Sequence, residues 1–191
     1  MKKMEQKILA EGKVLPGGVL KVGSFLNQQV DIGFMREVGD EIARLFKDCG
    51  ATKIFTIEAS GIPIAISAGF AMGLPVVYAK KHKGSNIASD VYTVPVKSFT
   101  HGDTNNVVVT KEFISPDDRI LIVDDFLAHG SALTGLISIV EQAGATVVGC
   151  AAAIEKGFQM GGDALREKGY RVESLAIIDQ MNDEGVVFRK Q

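Results

Sequence analysis

The sequence predicts an α/β fold: a central, mostly parallel sheet covered by helices on both faces. Three observations carry that prediction. From residue 53 onward, strand-like and helix-like segments alternate. The central strand segments, Ile120-Leu121-Ile122-Val123 and 146–154, are apolar at consecutive positions, as suits strands buried on both faces. No repeat, linker or low-complexity tract divides the chain. Its 191 residues, 46% of them apolar, therefore read as one domain over 1–191 with a core of its own.

Taken in order, residues 33–48 carry Met35, Val38, Ile42, Leu45 and Phe46 at helical spacing, with charges between them. Lys53–Ile57 is a short strand, and Glu58-Ala59-Ser60-Gly61 turns into an apolar helix ending near Gly73. Pro75–Ala79 is the next strand. Residues 59–79 hold no charge, yet Pro63, Pro75, Gly61, Gly69 and Gly73 divide them into loop, helix and strand, which argues against a membrane span. Residues 80–90 are polar and read as loop. Residues 91–99 and 105–111, rich in Val, Thr and aromatics around Gly102-Asp103, predict a hairpin. After the Pro116-Asp117-Asp118 turn come strand 120–123, helix 131–143 stopped by Gly144, strand 146–154, a short charged helix at 162–168 and strand Val172–Ile178.

Composition excludes several classes of function. Lys and Arg number 21 against 23 Asp and Glu, a net charge of −2, so the basic stripe of a nucleic-acid binder is missing. Met1-Lys2-Lys3 imitates the head of a signal peptide, but Met4-Glu5-Gln6-Lys7 stands where its apolar stretch would begin, and a cytoplasmic protein is expected. Cys49 and Cys150 have no CxxC neighbour and no His at metal spacing, which predicts buried free thiols. Nor does ligand spacing link His82 and His101. Glycine is the outlier: 21 of 191 residues, about 11% against a usual 7% or so, implies many tight turns or close backbone approaches.

Ligands of parallel sheets sit beyond the carboxyl ends of the strands. Three segments stand there: Glu58–Gly61, Asp124–Ala132 and Glu155–Gly157. In residues 120–132, four apolar residues deliver Asp124 and Asp125 to the sheet edge, and a loop through Gly130 runs into a helix. Consecutive backbone N–H groups at such a helix start form an anion nest, strengthened by the helix dipole. The two acids repel an anion and suit hydroxyl groups or a metal ion beside it. A phosphate with neighbouring sugar hydroxyls satisfies both halves of the motif. A Walker-B-like strand end or a plain Asp helix cap are the structural alternatives. GxxxxGK[ST] and GxGxxG are both absent, which removes the triphosphatase and dinucleotide readings.

Residues 120–132 resemble the phosphoribosyl pyrophosphate (PRPP) motif of the type I phosphoribosyltransferases. Ile57–Gly61 and Ala79–Gly84 are similar to the purine branch near the adenine enzymes. Val19–Val22, Ser24–Asn27 and Ile154–Phe158 resemble the bacterial members acting on xanthine. The resemblance implies the family's fold, with a small hood built from N-terminal and other segments, and a homodimer. Residues 82–100 correspond to a flexible hood loop. It implies Asp124 and Asp125 as catalytic residues on the ribose hydroxyls, and Ala128, His129, Gly130, Ser131 and Ala132 around the 5-phosphate. Leu20, Asn27 and Lys156 would contact xanthine. Ala59, Ser60 and Gly61 would face the pyrophosphate, with Lys80 or Lys81 supplying charge. Mg²⁺ is expected with PRPP, without protein side chains as its direct ligands.

The phosphate loop departs from the family's usual Thr-Gly-Gly-Thr ending, so Ser131 is its hydroxyl donor. Residues 91–100 lack the acid that the adenine enzymes place in the hood, which argues against adenine. Plainer readings stand beside these. Asn27 suits a helix cap, Lys156 a surface strand end, Lys80, Lys81 and Lys83 a solvated patch, and Leu20 and Phe158 the core; His129 suits a solvent-facing position. Two other functions compete: a guanine or hypoxanthine transferase, and a PRPP-sensing regulator. The 50 residues before the Lys53 strand lack the basic winged-helix pattern such regulators carry.

Overall fold

The computed structural model describes residues 1–82, 89–97, 104–182 and 185–190. Ten strands and five α-helices appear among them. In chain order they are α1 (Lys2–Glu11), β1 (Lys13–Leu15), β2 (Val19–Lys21), α2 (Ile32–Phe46), β3 (Lys53–Ile57), α3 (Gly61–Met72), β4 (Val76–His82) and β5 (Val91–Lys97). Then follow β6 (Thr104–Thr110), β7 (Arg119–Leu127), α4 (Ser131–Gln142), β8 (Thr146–Lys156), α5 (Gly161–Glu167), β9 (Val172–Asn182) and β10 (Gly185–Phe188).

Eight strands form one sheet in the order β10-β9-β8-β7-β3-β4-β6-β5. The five central strands run parallel, and antiparallel partners close both sides: β10 beside β9, and the β5–β6 hairpin beside β4. The core lies in two layers, as a doubly covered sheet requires. On one face Phe25, Phe34, Met35, Val38, Ile42, Phe46 and Ile64 pack from the N-terminal segment, α2 and α3. On the other, Leu133, Leu136, Ile139, Val140 and Leu165 pack from α4 and α5.

The central strands are longer than their apolar stretches. β7 continues through Asp124 and Asp125 to Leu127, and β8 reaches Lys156. Backbone pairing carries them on: Phe126 lies opposite Ile154 and Leu127 opposite Glu155. β4 likewise runs past Ala79, so Lys80 and Lys81 are strand residues rather than part of a polar loop. Antiparallel pairing of Lys80 with Val108 and Lys81 with Val107 explains this. Residues 83–88 and 98–103, which include part of the expected hood loop, lie outside the described residues, while 91–97 of that loop form β5.

The N-terminal 31 residues hold structure that the sequence reading did not contain. α1 is followed by a three-residue-per-strand hairpin, turned at Gly17 and Gly18 with φ of +80° and +73°. A wide turn of π-helix, Gly23–Asn27, comes next. Phe25 meets Phe34 edge-on at 5.8 Å, and the Lys7 ammonium lies 5.7 Å from the Phe34 ring and donates to Asp31 Oδ2 at 2.8 Å. Of the two cysteines, both free, Cys150 is buried and Cys49 only half-buried. Burial pushes the Cys150 thiol up to about 12, so it is inert near neutrality.

Candidate functional site

A cavity of about 230 Å³ opens at the carboxyl ends of β3 and β7. Its floor is Asp124 and Asp125. Its walls are the β3–α3 turn (Glu58, Ala59, Ser60, Gly61), the β7–α4 loop (Ala128, Gly130, Ser131, Ala132, Leu133), Lys81, and Val96, Asn105 and Val107 from the hairpin.

Two helices begin in this cavity, α3 at Gly61 and α4 at Ser131, and neither first turn is capped by a side chain. The first N–H groups of an α-helix have no partner inside the helix, and the dipole adds partial positive charge there. Two anion-binding ends thus face one space. Lys81 adds a full charge, and its backbone N–H donates to Glu58 Oε1 at 2.6 Å. Lys80, one position away on the strand, lines a separate groove with Tyr78, Val91 and Phe113. Strand alternation decides between the two lysines: Lys81 reaches the cavity and Lys80 does not.

The acidic pair is held unevenly. Asp124 is 4% exposed and accepts from the Asp125 backbone N–H at 2.9 Å. Burial, and then the charge of Asp125, push its carboxyl well above the usual carboxylate range. Asp125 accepts a hydrogen bond from Asn27 Nδ2 at 3.1 Å. Asn27 therefore caps no helix; the cap of α2 is Asp31, which accepts from the Phe34 N–H at 3.1 Å. A methyl group at Gly61 would overlap Thr56 Oγ1 and lie 2.9 Å from Asp124 Oδ1, so only glycine lets α3 start this close to the acids. Among the described residues no cluster of three or more His, Cys, Asp or Glu side chains could hold a metal ion. Two carboxylates beside an anion nest do fit Mg²⁺ that shares its ligands with phosphate oxygens.

The residues expected at the base lie next door. Leu20 and Asn27 line a second cavity of about 200 Å³ together with Val22 and Gln28. Lys156 stands at the end of β8, where its ammonium donates to the Gly18 carbonyl at 2.8 Å and lies 5.7 Å from the Phe126 ring. Burial lowers its pKa below that of an ordinary lysine. The Asn27–Asp125 hydrogen bond joins the two cavities.

Some residues fall elsewhere. His129 contributes backbone to the loop beneath α5 rather than standing in the cavity wall. Glu155, a strand-end candidate, is fully buried and ion-paired with Arg166 at 2.7 Å. The sequence reading also missed the hairpin's share of the wall. Asn105 and Val107 are two apart and so share a strand face, but which face looked inward was not written in that alternation.

The fold is a parallel α/β sheet whose cavity joins a strand-end acid pair, a glycine-bearing loop and two open helix ends. The phosphoribosyl transferase domain family matches residues 32–187, and the chain belongs to it. Over its full length it is 48% identical to the xanthine phosphoribosyltransferase of Limosilactobacillus reuteri, covering 100% of each chain. It is 51% identical to that of Lachnoclostridium phytofermentans, covering 99% of this chain and 98% of the relative. Among solved structures the fold matches adenine phosphoribosyltransferases. One from Trypanosoma brucei, in complex with AMP, pyrophosphate and ribose-5-phosphate, has a TM-score of 0.77 at 18% identity, covering 95% of this chain and 82% of that one. One from Giardia lamblia, with 9-deazaadenine, has a TM-score of 0.75 at 22% identity, covering 91% and 96%.

Proposed function

We propose that this protein transfers the 5-phosphoribosyl group of PRPP to xanthine, giving xanthosine 5′-monophosphate and diphosphate in purine salvage. The observation that carries this reading is the pairing of two uncapped helix ends with one acidic pair in a single cavity. PRPP carries a phosphate on C5 and a diphosphate on C1 of a ribose that bears two free hydroxyls. The α4 end and residues Ala128–Ala132 suit the 5-phosphate. The α3 end, with Ala59, Ser60, Gly61 and Lys81, suits the diphosphate. Asp124 and Asp125 suit the hydroxyls between them.

Purine N9 bonds to ribose C1 as the C1–O bond breaks with its electron pair leaving on the diphosphate, and the imidazole-ring N–H proton of the base is released to solvent. Positive charge grows on the sugar beside Asp124 and Asp125, and negative charge on the leaving group beside Lys81 and the α3 amides. Donors fixed in advance at such positions lower the barrier without reorganising. Asp124 and Asp125 are the side chains that would lie nearest a bound Mg²⁺, which would supply further charge neutralisation. Lys156 and the Asn27 amide are donors, which suits a base with two carbonyl groups. An ammonium at Lys156 also favours the anionic form of xanthine. The whole chain acts as one catalytic unit on soluble substrates, and we place it in the cytoplasm.

Initial rates with PRPP and each of xanthine, guanine, hypoxanthine and adenine test the reading. Xanthine is expected to be best. Guanine or hypoxanthine in first place would transfer the assignment to those bases, and adenine in first place would overturn the specificity argument. PRPP binding without turnover of any base would favour a sensor over an enzyme.

We further propose a homodimer. Between α2 and α3 lies an apolar groove of about 690 Å³, walled by Ile32, Met35, Ile62, Ile66 and Phe70. Ile32 is 76% and Phe70 86% exposed, and large apolar side chains clustered so openly mark an association surface.

A further inference from the structure

Glu155 is the only fully buried carboxylate among the described residues that takes no part in either cavity. It accepts from Arg166 Nη1 at 2.9 Å and Nη2 at 2.7 Å, and from Ser174 Oγ at 2.5 Å. Arg166 also donates to Asp163 Oδ1 at 3.0 Å, and Arg189 donates to the same oxygen at 3.0 Å. Arg189 reaches on to Asp179 Oδ1 at 2.9 Å. Helix α5 is thus clamped to β8 directly, and to β9 through Arg189 just after β10, by charge-assisted bonds, the stronger class of hydrogen bond.

The clamp has a target. A methyl at Gly162 would overlap Glu155 Oε1, so the carboxylate fills the space directly under the helix start. A methyl at Gly161 would overlap the Ala128 carbonyl and stand 2.5 Å from the Gly130 nitrogen and the His129 carbonyl carbon. The Gly161 N–H donates to the Ala128 carbonyl at 3.1 Å. The back of the 128–132 loop therefore rests on Gly161, and the next residue, Gly162, rests on Glu155.

We propose that the Glu155–Arg166 pair positions the phosphate loop, acting through Gly162 and Gly161 rather than on substrate. This rests on the reading of 128–132 as the grip on the 5-phosphate. A loop displaced by a fraction of an ångström would hold the phosphate less well while leaving the base site alone. Misplacement of about 1 Å is enough to cost up to about a hundredfold.

The test compares wild type, Glu155→Gln and Gly161→Ala in the intact protein. Calorimetric affinity for ribose 5-phosphate without base is measured beside KM for PRPP, KM for xanthine and kcat. The expected result is ribose 5-phosphate affinity and PRPP KM both worse by about tenfold or more in each variant, with xanthine KM within about twofold. Should Glu155→Gln fail to fold, Arg166→Lys, which keeps the charge but loses the two-point contact with Glu155, decides the matter, because Gly161→Ala also presses on the Ala128 carbonyl directly. A folded Glu155→Gln or Arg166→Lys variant that binds ribose 5-phosphate as wild type does would overturn the proposal. Equal losses in PRPP and xanthine KM would do the same, since they mark general loosening. Wild type that binds no ribose 5-phosphate would instead overturn the reading of the loop, and the proposal with it.

Discussion

Asp124 is a buried acid whose neighbour, Asp125, carries the same sign of charge. A carboxyl whose folded pKa is raised above its unfolded value near 3.8 costs stability once pH exceeds that value, and costs nothing below it. Asp124→Asn keeps an oxygen to accept from the Asp125 N–H and removes the charge. Its melting temperature at pH 7 is expected to exceed that of wild type, with the gap closing as pH falls toward 4; scanning calorimetry across that range checks it. Replacing both acids with Asn should abolish turnover. Two hydrogen bonds to charged groups, at about 1.5–3 kcal/mol each, amount to several orders of magnitude in rate. Lys156 shifts the other way for the same cause. Its lowered pKa means the ammonium is lost, and with it the preference for anionic xanthine, at a pH below that of an ordinary lysine. Lys156→Met should lower kcat/KM for xanthine about ten- to a hundredfold, spare adenine and PRPP affinity, and erase that alkaline limb from the pH–rate profile.

At the scale of elements, the N-terminal hairpin holds Lys156 in place, because Gly18 supplies the carbonyl that accepts from it. Gly17 and Gly18 have open space where a methyl group would go, within 4 Å for the first and with only Phe158 at 3.9 Å for the second. Their positive φ is the constraint. Gly18→Ala should cost about 1–2 kcal/mol in urea unfolding and raise xanthine KM while leaving PRPP KM unchanged. This hairpin also shows where the sequence stops being readable. The parallel core was legible because Ile120–Val123 and 146–154 announce themselves by unbroken apolar runs. The acid pair was legible because nothing in a strand end requires two adjacent aspartates. A three-residue strand has no period to detect, and the π-turn that carries Asn27 is held by Phe25, Phe34 and Lys7 from three separate segments. Gly161 and Gly162 carried no signal of a role at the loop, since their closeness to residues 128–130 exists only in three dimensions.

Across the whole molecule, several ion pairs tie distant segments together: Lys7 to Asp31, Lys53 to Asp118 and Arg189 to Asp163. Hydrogen bonds from Lys7 and Arg189 lower the pKa of Asp31 and Asp163. For Asp118, burial opposes the shift, but bonds from Lys53 and Ser115 prevail. Lowered carboxylates contribute stability above their unfolded pKa and lose it as pH falls through the folded values. Urea midpoints should hold steady from pH 7 to 5 and drop below about pH 4, with the drop reduced in Asp118→Asn. The α2–α3 groove makes a separate prediction. Wild type should sediment as a dimer at micromolar concentration, and Phe70→Glu, which puts a charge on the most exposed of its apolar side chains, should sediment as a monomer with its fold intact.

The single hydrogen bond from Asn27 to Asp125 sets which mutational routes to a new base are open. On the proposed assignment of Leu20 and Lys156 to the base, a substitution at Leu20, which lines the cavity beside Asn27, or at Lys156, which is bonded to Gly18, touches neither Asp124 nor Asp125. On the proposed assignment of Asn27 to the base, a substitution there alters both at once, because Asp125 loses its donor as well. Selection for a different purine that proceeds through Asn27 therefore has to rebuild the hold on ribose in the same step, whereas one that proceeds through Leu20 or Lys156 can change the base and leave the sugar chemistry inherited. A directed-evolution campaign for guanine is expected to accumulate changes at Leu20 and Lys156 first and to leave Asn27 in place.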